Sequence, residues 1–290
     1  MIQRDFHNPA AIRSFIEQAL NEDIGDGDIT TKSSFNNDTS GVAHCFVKEK
    51  CTIAGVSLAV QICNYLDPQL EVNFSCKDGD IIEDVPACVG VISGKLSSIL
   101  QIERLLLNSM QRMSGIATLT KQYVTLAQAV GIDIYDTRKT TPNFRLPEKW
   151  AVVIGGGVNH RFGLDDQILI KDNHIKAAGG IEAALDNCLS YHNQQNIKIP
   201  VIVEVKDEHE FLIALKHTIV NRILIDNHRP EVLEKYIHYR NTIAPTKNLE
   251  ISGGIDLDTI KSYLIQGIDC ISIGALTHHA ISVDISLKIV

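Results

Sequence analysis

Beyond residue 130 the sequence falls into a rhythm that few folds can satisfy. Short apolar runs at 132–135, 167–170, 200–205, 222–225, 249–252 and 270–273 alternate with helical patterns near 180–190, 208–217, 230–238 and 256–265. Strand-length runs separated by helices predict parallel strands with helical crossovers, because parallel neighbours cannot be joined by a tight hairpin. The sheet is open or closed into a barrel, with six strands and a seventh or eighth from an adjoining segment. Polar groups follow each run. Asp136-Thr137-Arg138-Lys139 comes after the first and Lys171-Asp172-Asn173-His174 after the second. Glu204 ends the third, Asp226-Asn227 the fourth, Ser252-Gly253-Gly254 the fifth and Gly274 the sixth. The C-terminal ends of barrel strands converge on one mouth, where barrel enzymes carry their chemistry. A solvated loop explains any one of these clusters and explains all six poorly. Small residues after the last two strands leave backbone N–H groups open to a phosphate, or simply make tight turns.

The first part of the chain reads differently. Asn8 and Pro9 look like the cap and first residue of a helix whose apolar positions are Ile12, Phe15, Ile16, Ala19 and Leu20. Residues 41–94 read as strands around one helix at 56–66, an α+β unit, and residues 96–130 as two long helices broken near Ser114-Gly115. Asp26-Gly27-Asp28 resembles a calcium loop, but positions 6 and 12 would be Thr31 and Asn37 instead of Gly and Glu, so a solvated turn fits better. Two domains follow: 1–112, with 278–290 packing back on it, and 113–277.

Composition removes whole classes of function. With 44% hydrophobic residues the chain is globular. No apolar run nears the ~18 residues a membrane span needs. The first ten residues, which include Arg4, Asp5 and His7, lack an export signal, so a cytoplasmic protein without membrane partners is expected. A net charge of -8 argues against nucleic acid, which calls for a broad basic field. Seven cysteines with no CxxC make neither a disulfide framework nor a zinc site. Gly155-Gly156-Gly157 is neither GxGxxG nor a Walker loop, and HExxH and GxSxG do not occur. His160 and His174 read as hydrogen-bonding residues, not as a metal pair.

What remains is charge gathered around the strand ends. The cations are Arg104, Arg138, Lys139, Arg145, Arg161 and Lys171; the acids are Glu103, Glu204 and Asp226. Arginine forks grip carboxylates and phosphates, so several cations near one mouth imply a substrate of several negative charges. Glu204 and Asp226 could hold a divalent metal through water, bind ribose hydroxyls, stabilise a cationic transition state, or pair with the neighbouring cations. Lys171 sits among Asp172, Asn173 and His174, not in the apolar site a Schiff-base aldolase needs.

Three stretches then resemble one family: Asp136-Thr137-Arg138-Lys139-Thr140-Thr141-Pro142, Gly155 through His160-Arg161, and Leu169-Ile170-Lys171-Asp172-Asn173-His174. With Glu103-Arg104, Ser114-Gly115-Ile116-Ala117-Thr118, Ile225-Asp226-Asn227, Ser252-Gly253-Gly254 and Gly274-Ala275-Leu276-Thr277-His278, the ordered set is similar to quinolinate phosphoribosyltransferases. The resemblance implies an α/β protein: an N-terminal α+β sandwich domain and an incomplete TIM-like barrel. It implies transfer of phosphoribosyl from phosphoribosyl pyrophosphate to quinolinate with decarboxylation, with Mg2+, in a homodimer or higher homo-oligomer whose subunits share the active site. By the same resemblance Arg138, His160, Arg161 and Lys171 hold quinolinate, with Arg104 entering from a neighbouring subunit. Lys139 and Thr140 contact phosphoribosyl pyrophosphate, and Ser252, Gly253, Gly254, Ile273, Gly274 and Ala275 take its 5′-phosphate. Lys139, Glu204 and Asp226 are the catalytic set, the two acids also serving Mg2+. The family's Gly-Leu-Arg after the proline is Asn143-Phe144-Arg145 here, and Asn tolerates the positive φ of such a turn. Ile202 stands where the family often has an acid. A paralogue acting on another pyridine base and a non-catalytic nucleotide-binding homologue are the alternatives.

Overall fold

The structure is a computed structural model describing residues 8–36 and 38–290. Residues 1–7, with the Arg4, Asp5 and His7 of the expected signal-free start, lie outside the described residues, as does Asn37 of the rejected calcium loop. The elements are α1 (Pro9–Ile24), α2 (Ile29–Ser34), β1 (Ser40–Val47), β2 (Cys51–Thr52), α3 (Val56–Leu66), β3 (Glu71–Phe74), β4 (Ile81–Ile82), β5 (Ala87–Lys95) and α4 (Leu96–Gln128). There follow β6 (Asp133–Tyr135), α5 (Arg145–Ile154), β7 (Ile168–Ile170), α6 (Asp172–Ala178), α7 (Ile181–Gln195), β8 (Val201–Val205), α8 (Glu208–Lys216) and β9 (Arg222–Asp226). The last are α9 (Pro230–Ile243), β10 (Asn248–Ser252), β11 (Cys270–Ser272), α10 (Ala275–His278) and β12 (Ile285–Ile289). The described chain forms two compact units, one of 8–36, 38–121, 139–157 and 276–290, the other of 122–138 and 158–275.

The first unit is built on an antiparallel sheet in the order β12-β1-β5-β3. Alternate residues of β1, Ala43, Cys45 and Val47, are buried, as the two-residue period of a strand requires when one face meets a core. Helix α1 starts where expected: the Asn8 side chain accepts from the Ala10 N–H at 3.0 Å, Pro9 takes the first helical position, and Ile12, Ile16 and Leu20 are buried. The acidic turn resolves into a helix cap, Asp28 accepting the Thr31 N–H at the start of α2. Cys45, Cys51, Cys63 and Cys270 are buried, and all seven cysteines are unpaired. Among the described residues no helix is long and apolar enough to cross a membrane.

The expected break at Ser114-Gly115 is absent; α4 runs through it. These small residues serve a close approach instead. The Ser114 hydroxyl accepts from Ala54 N–H at 3.0 Å and donates to Ala54 C=O at 3.2 Å. A Cβ at Gly115 would lie 2.0 Å from the carbonyl oxygen of Ile281.

The second unit holds the six expected strands, all parallel, in the order β6-β11-β10-β9-β8-β7. That cyclic order is a barrel left open between β6 and β7. A single parallel bridge from Tyr135 to Val158 adds the rudiment of a seventh strand beside β6. The helix expected at 256–265 is only a one-turn 3-10 segment, Ile260–Tyr263. Asp256 Oδ1 accepts from the N–H of Thr259 at 2.8 Å and from its hydroxyl at 2.8 Å, a local cap that satisfies the backbone without a longer helix.

Alanine for glycine in a helix interior normally stabilises by about 1 kcal/mol. At Gly115 the sign reverses, because backbone must move: Gly115→Ala is expected to lose about 1–3 kcal/mol, read as a lower urea midpoint at unchanged slope.

Candidate active site

Register decides which strand residues share a face of the parallel sheet. Ile202 lies opposite Arg222 and Glu204 opposite Leu224. Glu250 lies opposite Leu224 and Cys270, and Ser252 opposite Asp226 and Ser272. Leu169, Ile202 and Leu224 form an apolar cluster on this face. Two residues further along their strands come Lys171, Glu204 and Asp226, so the pleat brings all three to the C-terminal edge of one face. Ser252 joins them from β10.

These groups already engage one another. Lys171 Nζ donates to Glu204 Oε2 at 2.7 Å, so the ion-pair alternative for Glu204 is realised. Asp226 accepts from the Ser252 hydroxyl and, at 2.6 Å, from Asn227 Nδ2. Asn227 holds a left-handed φ of 55°, and its backbone N–H donates to the Ser252 carbonyl at 2.9 Å. Gly253 fits only as glycine: its φ is +100°, and a Cβ would lie 2.2 Å from Asn227 Oδ1. Gly254 also has a positive φ, +61°, but faces open space. Ile273 is buried, which leaves its backbone as what it can offer a ligand. Gly274 and Ala275 follow, half-buried.

Beneath this edge lies a polar interior that the sequence reading missed. Glu250 is fully buried and accepts from Arg222 Nη1 at 3.1 Å, from the Ser272 hydroxyl, and from His160 Nε2 at 3.3 Å. Arg222 Cζ stands 4.8 Å from the centre of the Tyr135 ring. The other imidazole nitrogen of His160, Nδ1, accepts the Arg161 N–H at 2.8 Å. His160 therefore carries its proton on Nε2, and both ring nitrogens serve the protein. Asp136, also fully buried, accepts from His160 N–H at 2.8 Å and Asn159 Nδ2 at 2.6 Å, tying the segment from its other side. Arg222 opens β9 and Glu250 lies in the middle of β10, charges in the parity of Asp226 and Ser252, but only the register pairs them.

Arg161 is half-buried and donates from Nη1 to the Gln167 carbonyl at 3.2 Å. Burial and then the charge of Arg138 push its guanidinium below its ordinary pKa, partly offset by Asp166. Two guanidiniums in the same unit suit an anion with more than one negative charge.

In the antiparallel unit Arg104 is exposed on α4 and Lys139 is exposed after β6. The Thr140 hydroxyl accepts from Arg145 Nε at 2.9 Å, which occupies Arg145 with the loop. Asn143 has φ 62°, the strained turn that its short polar side chain tolerates. Among the described residues no group of three or more metal-ligating side chains occurs.

Residues 28–114 match the N-terminal domain of quinolinate phosphoribosyl transferase and residues 116–288 its C-terminal domain. The chain is 41% identical to quinolinate phosphoribosyltransferase [decarboxylating] 1b of Nicotiana tabacum, covering 98% of this chain and 83% of that protein. It is 35% identical to the probable nicotinate-nucleotide pyrophosphorylase [carboxylating] of Bacillus subtilis, covering 97% and 94%. The crystal structure of NadC from Streptococcus pyogenes superposes with a TM-score of 0.86 at 35% identity, over 97% of this chain and 98% of that one.

Glu250 supplies a stability test. Burial alone would raise its carboxyl pKa, but the pairs with His160 and Arg222 and the Ser272 hydroxyl together hold it below the ordinary 4.5. A depressed carboxyl contributes stability that is full above the unfolded-state pKa and lost as pH falls through the folded one. Glu250→Ala, which strands Arg222, should cost about 3–5 kcal/mol at neutral pH. Glu250→Gln should flatten the loss of urea stability that the wild type shows below about pH 4.5.

Proposed function

The chain belongs to the quinolinate phosphoribosyltransferase family, and from that premise we propose how its residues carry out the family's reaction. It transfers the phosphoribosyl group of phosphoribosyl pyrophosphate to quinolinate with loss of carbon dioxide, giving nicotinate mononucleotide and pyrophosphate in NAD biosynthesis. The observation that supports the site assignment is the gathering of Lys171, Glu204, Asp226 and Ser252 at the C-terminal edge of one sheet face. A dicarboxylate would be met by Arg138 and Arg161, and Lys171 adds a third cation once it exchanges Glu204 for substrate.

Roles follow from chemistry. Arg138 and Arg161 grip the two quinolinate carboxylates and aim the ring nitrogen at the ribose. His160 fixes Arg161. Lys139 and Thr140 bind the pyrophosphate, and Lys139 takes up negative charge as it leaves. The backbone of Ser252, Gly253, Gly254, Ile273, Gly274 and Ala275 holds the 5′-phosphate, where small residues leave N–H groups accessible. As the bond to pyrophosphate lengthens, ribose C1 gains positive charge, and the carboxylates of Glu204 and Asp226 stabilise it. The quaternised ring nitrogen then stabilises the carbanion left by the 2-carboxylate. No covalent enzyme intermediate is needed, so no cysteine or serine acts as nucleophile.

Two carboxylates on neighbouring strands fit Mg2+, which takes one or two carboxylates, keeps several waters and uses substrate phosphates for the rest. Glu204 and Asp226 would hold it through water. When bound, the ion supplies positive charge to the departing pyrophosphate. An exposed Arg104 suits a homodimer in which this arginine serves the neighbouring subunit's site. Seven unpaired cysteines suit a reducing compartment such as the cytoplasm.

Incubation with phosphoribosyl pyrophosphate, Mg2+ and quinolinate should release nicotinate mononucleotide and carbon dioxide, while nicotinate in place of quinolinate gives no product. Turnover of nicotinate alone would overturn the assignment. Arg161→Ala should lose at least about 2 kcal/mol of transition-state stabilisation, about 30-fold in kcat/KM for quinolinate.

A further inference from the structure

The antiparallel unit buries a carboxylate that the reaction does not use. Glu148, in α5, is fully buried. Its Oε1 accepts from Arg112 Nε at 3.0 Å and from the Thr141 hydroxyl at 2.9 Å, and its Oε2 accepts from the Thr141 N–H at 3.0 Å. Arg112, on α4, reaches past Glu148. It donates from Nη1 to the Ala280 carbonyl at 2.6 Å and from Nη2 to the Thr277 carbonyl. Thr277, itself fully buried, donates its hydroxyl to the Lys139 carbonyl at 2.7 Å.

Residues 139–141 are thus held from below at two peptide groups: the Lys139 carbonyl through Thr277, and the Thr141 N–H through Glu148. The loop itself is exposed at Lys139 and Thr141. An exposed three-residue stretch normally samples many conformations. Here two separate anchors remove that freedom, and one buried ion pair ties the anchors together. Simple packing does not require this, because a buried ion pair is seldom worth more than well-packed apolar side chains of the same volume. What the arrangement supplies is a fixed backbone for Lys139, and a preorganised cation loses less affinity to ordering when it meets its anion.

We propose that Arg112, Glu148 and Thr277 are positioning residues for Lys139, setting the affinity for phosphoribosyl pyrophosphate and not for quinolinate. This rests on the assignment of Lys139 to the pyrophosphate given above. The clamp acts on a backbone, so its loss changes where the Lys139 ammonium stands without removing the charge.

The test uses the full chain and three variants. Thr277→Ala removes the hydroxyl from the Lys139 carbonyl, Thr277→Ser restores a hydroxyl, and Glu148→Gln keeps the shape but removes the charge. Both KM values, kcat, urea midpoints and calorimetric titration with phosphoribosyl pyrophosphate and Mg2+ are measured. Thr277→Ala and Glu148→Gln should raise KM and Kd for phosphoribosyl pyrophosphate about tenfold, with the quinolinate KM within about twofold of wild type. Thr277→Ser should return to the wild-type value. A merely structural role would lower the urea midpoint and move both KM values together, or neither; either result overturns the proposal. If Glu148→Gln does not fold, the Thr277 pair decides alone. A wild type that binds phosphoribosyl pyrophosphate but does not convert quinolinate overturns the reading of the reaction, and Kd still decides the clamp. A wild type that does neither overturns both.

Discussion

A carboxylate sealed from water has to be met on every side by positive charge or hydrogen-bond donors, and in the parallel unit that requirement falls on Glu250. It sits in the middle of β10, so its partners must come from the strands on either hand and from the loop above. Arg222 answers from β9, Ser272 from β11 and His160 from the segment after the Val158 bridge. Once His160 must donate from Nε2, its other nitrogen is left as an acceptor, and the Arg161 backbone is drawn to it. One buried charge thereby sets a tautomer, and the tautomer sets the place of the Arg161 backbone. The antiparallel unit meets the same requirement with Glu148 and Arg112, and there the pair holds the loop at 139–141.

The second consequence of burying charge is selectivity of another kind. The edge groups Lys171, Glu204, Asp226 and Ser252 are only partly covered and already paired with one another. Partly exposed pairs of this sort are worth little on their own, so they exchange partners at small cost. The deep pairs are costly to break, because a lost partner leaves a buried charge unmet, and they stay. The depth of a charge on the sheet face thus separates pairs that exchange partners readily from pairs that do not.

Much of this was legible in the sequence, and the reasons it was legible differ. The six strands were, because a parallel strand covered on both faces is a near-continuous apolar run, and the polar residue ending each run marked the mouth. Helix α3 and the start of α1 were, because a glycine or an Asn-Pro cap announces them. Ser114-Gly115 misled: small residues signal a turn and a close approach in the same letters, and only the Ala54 and Ile281 backbones tell which. Residues 256–265 misled because helical spacing says nothing of an aspartate that satisfies the turn locally. Glu250 and Arg222 were read as ordinary strand residues, since nothing in one strand's sequence names its neighbour. Pairing them requires the register, which is a property of the folded sheet alone. The contacts of His160 with Glu250 and with the Arg161 N–H likewise depend on the folded register, and no motif spells them out.

The β1–β12 pairing carries a consequence for how the molecule is made. Val47 pairs with Ile285, and Lys48 reaches Asp284 at 3.1 Å. During synthesis the strand at 40–47 emerges long before the one at 285–289, and until then β1 presents an unpaired edge of N–H and C=O groups. Residues 139–157 of the same unit are also still to come. The unit cannot close vectorially. Its completion waits until residues 285–289 have left the ribosome, and in that interval the open β1 edge is exposed to mispairing.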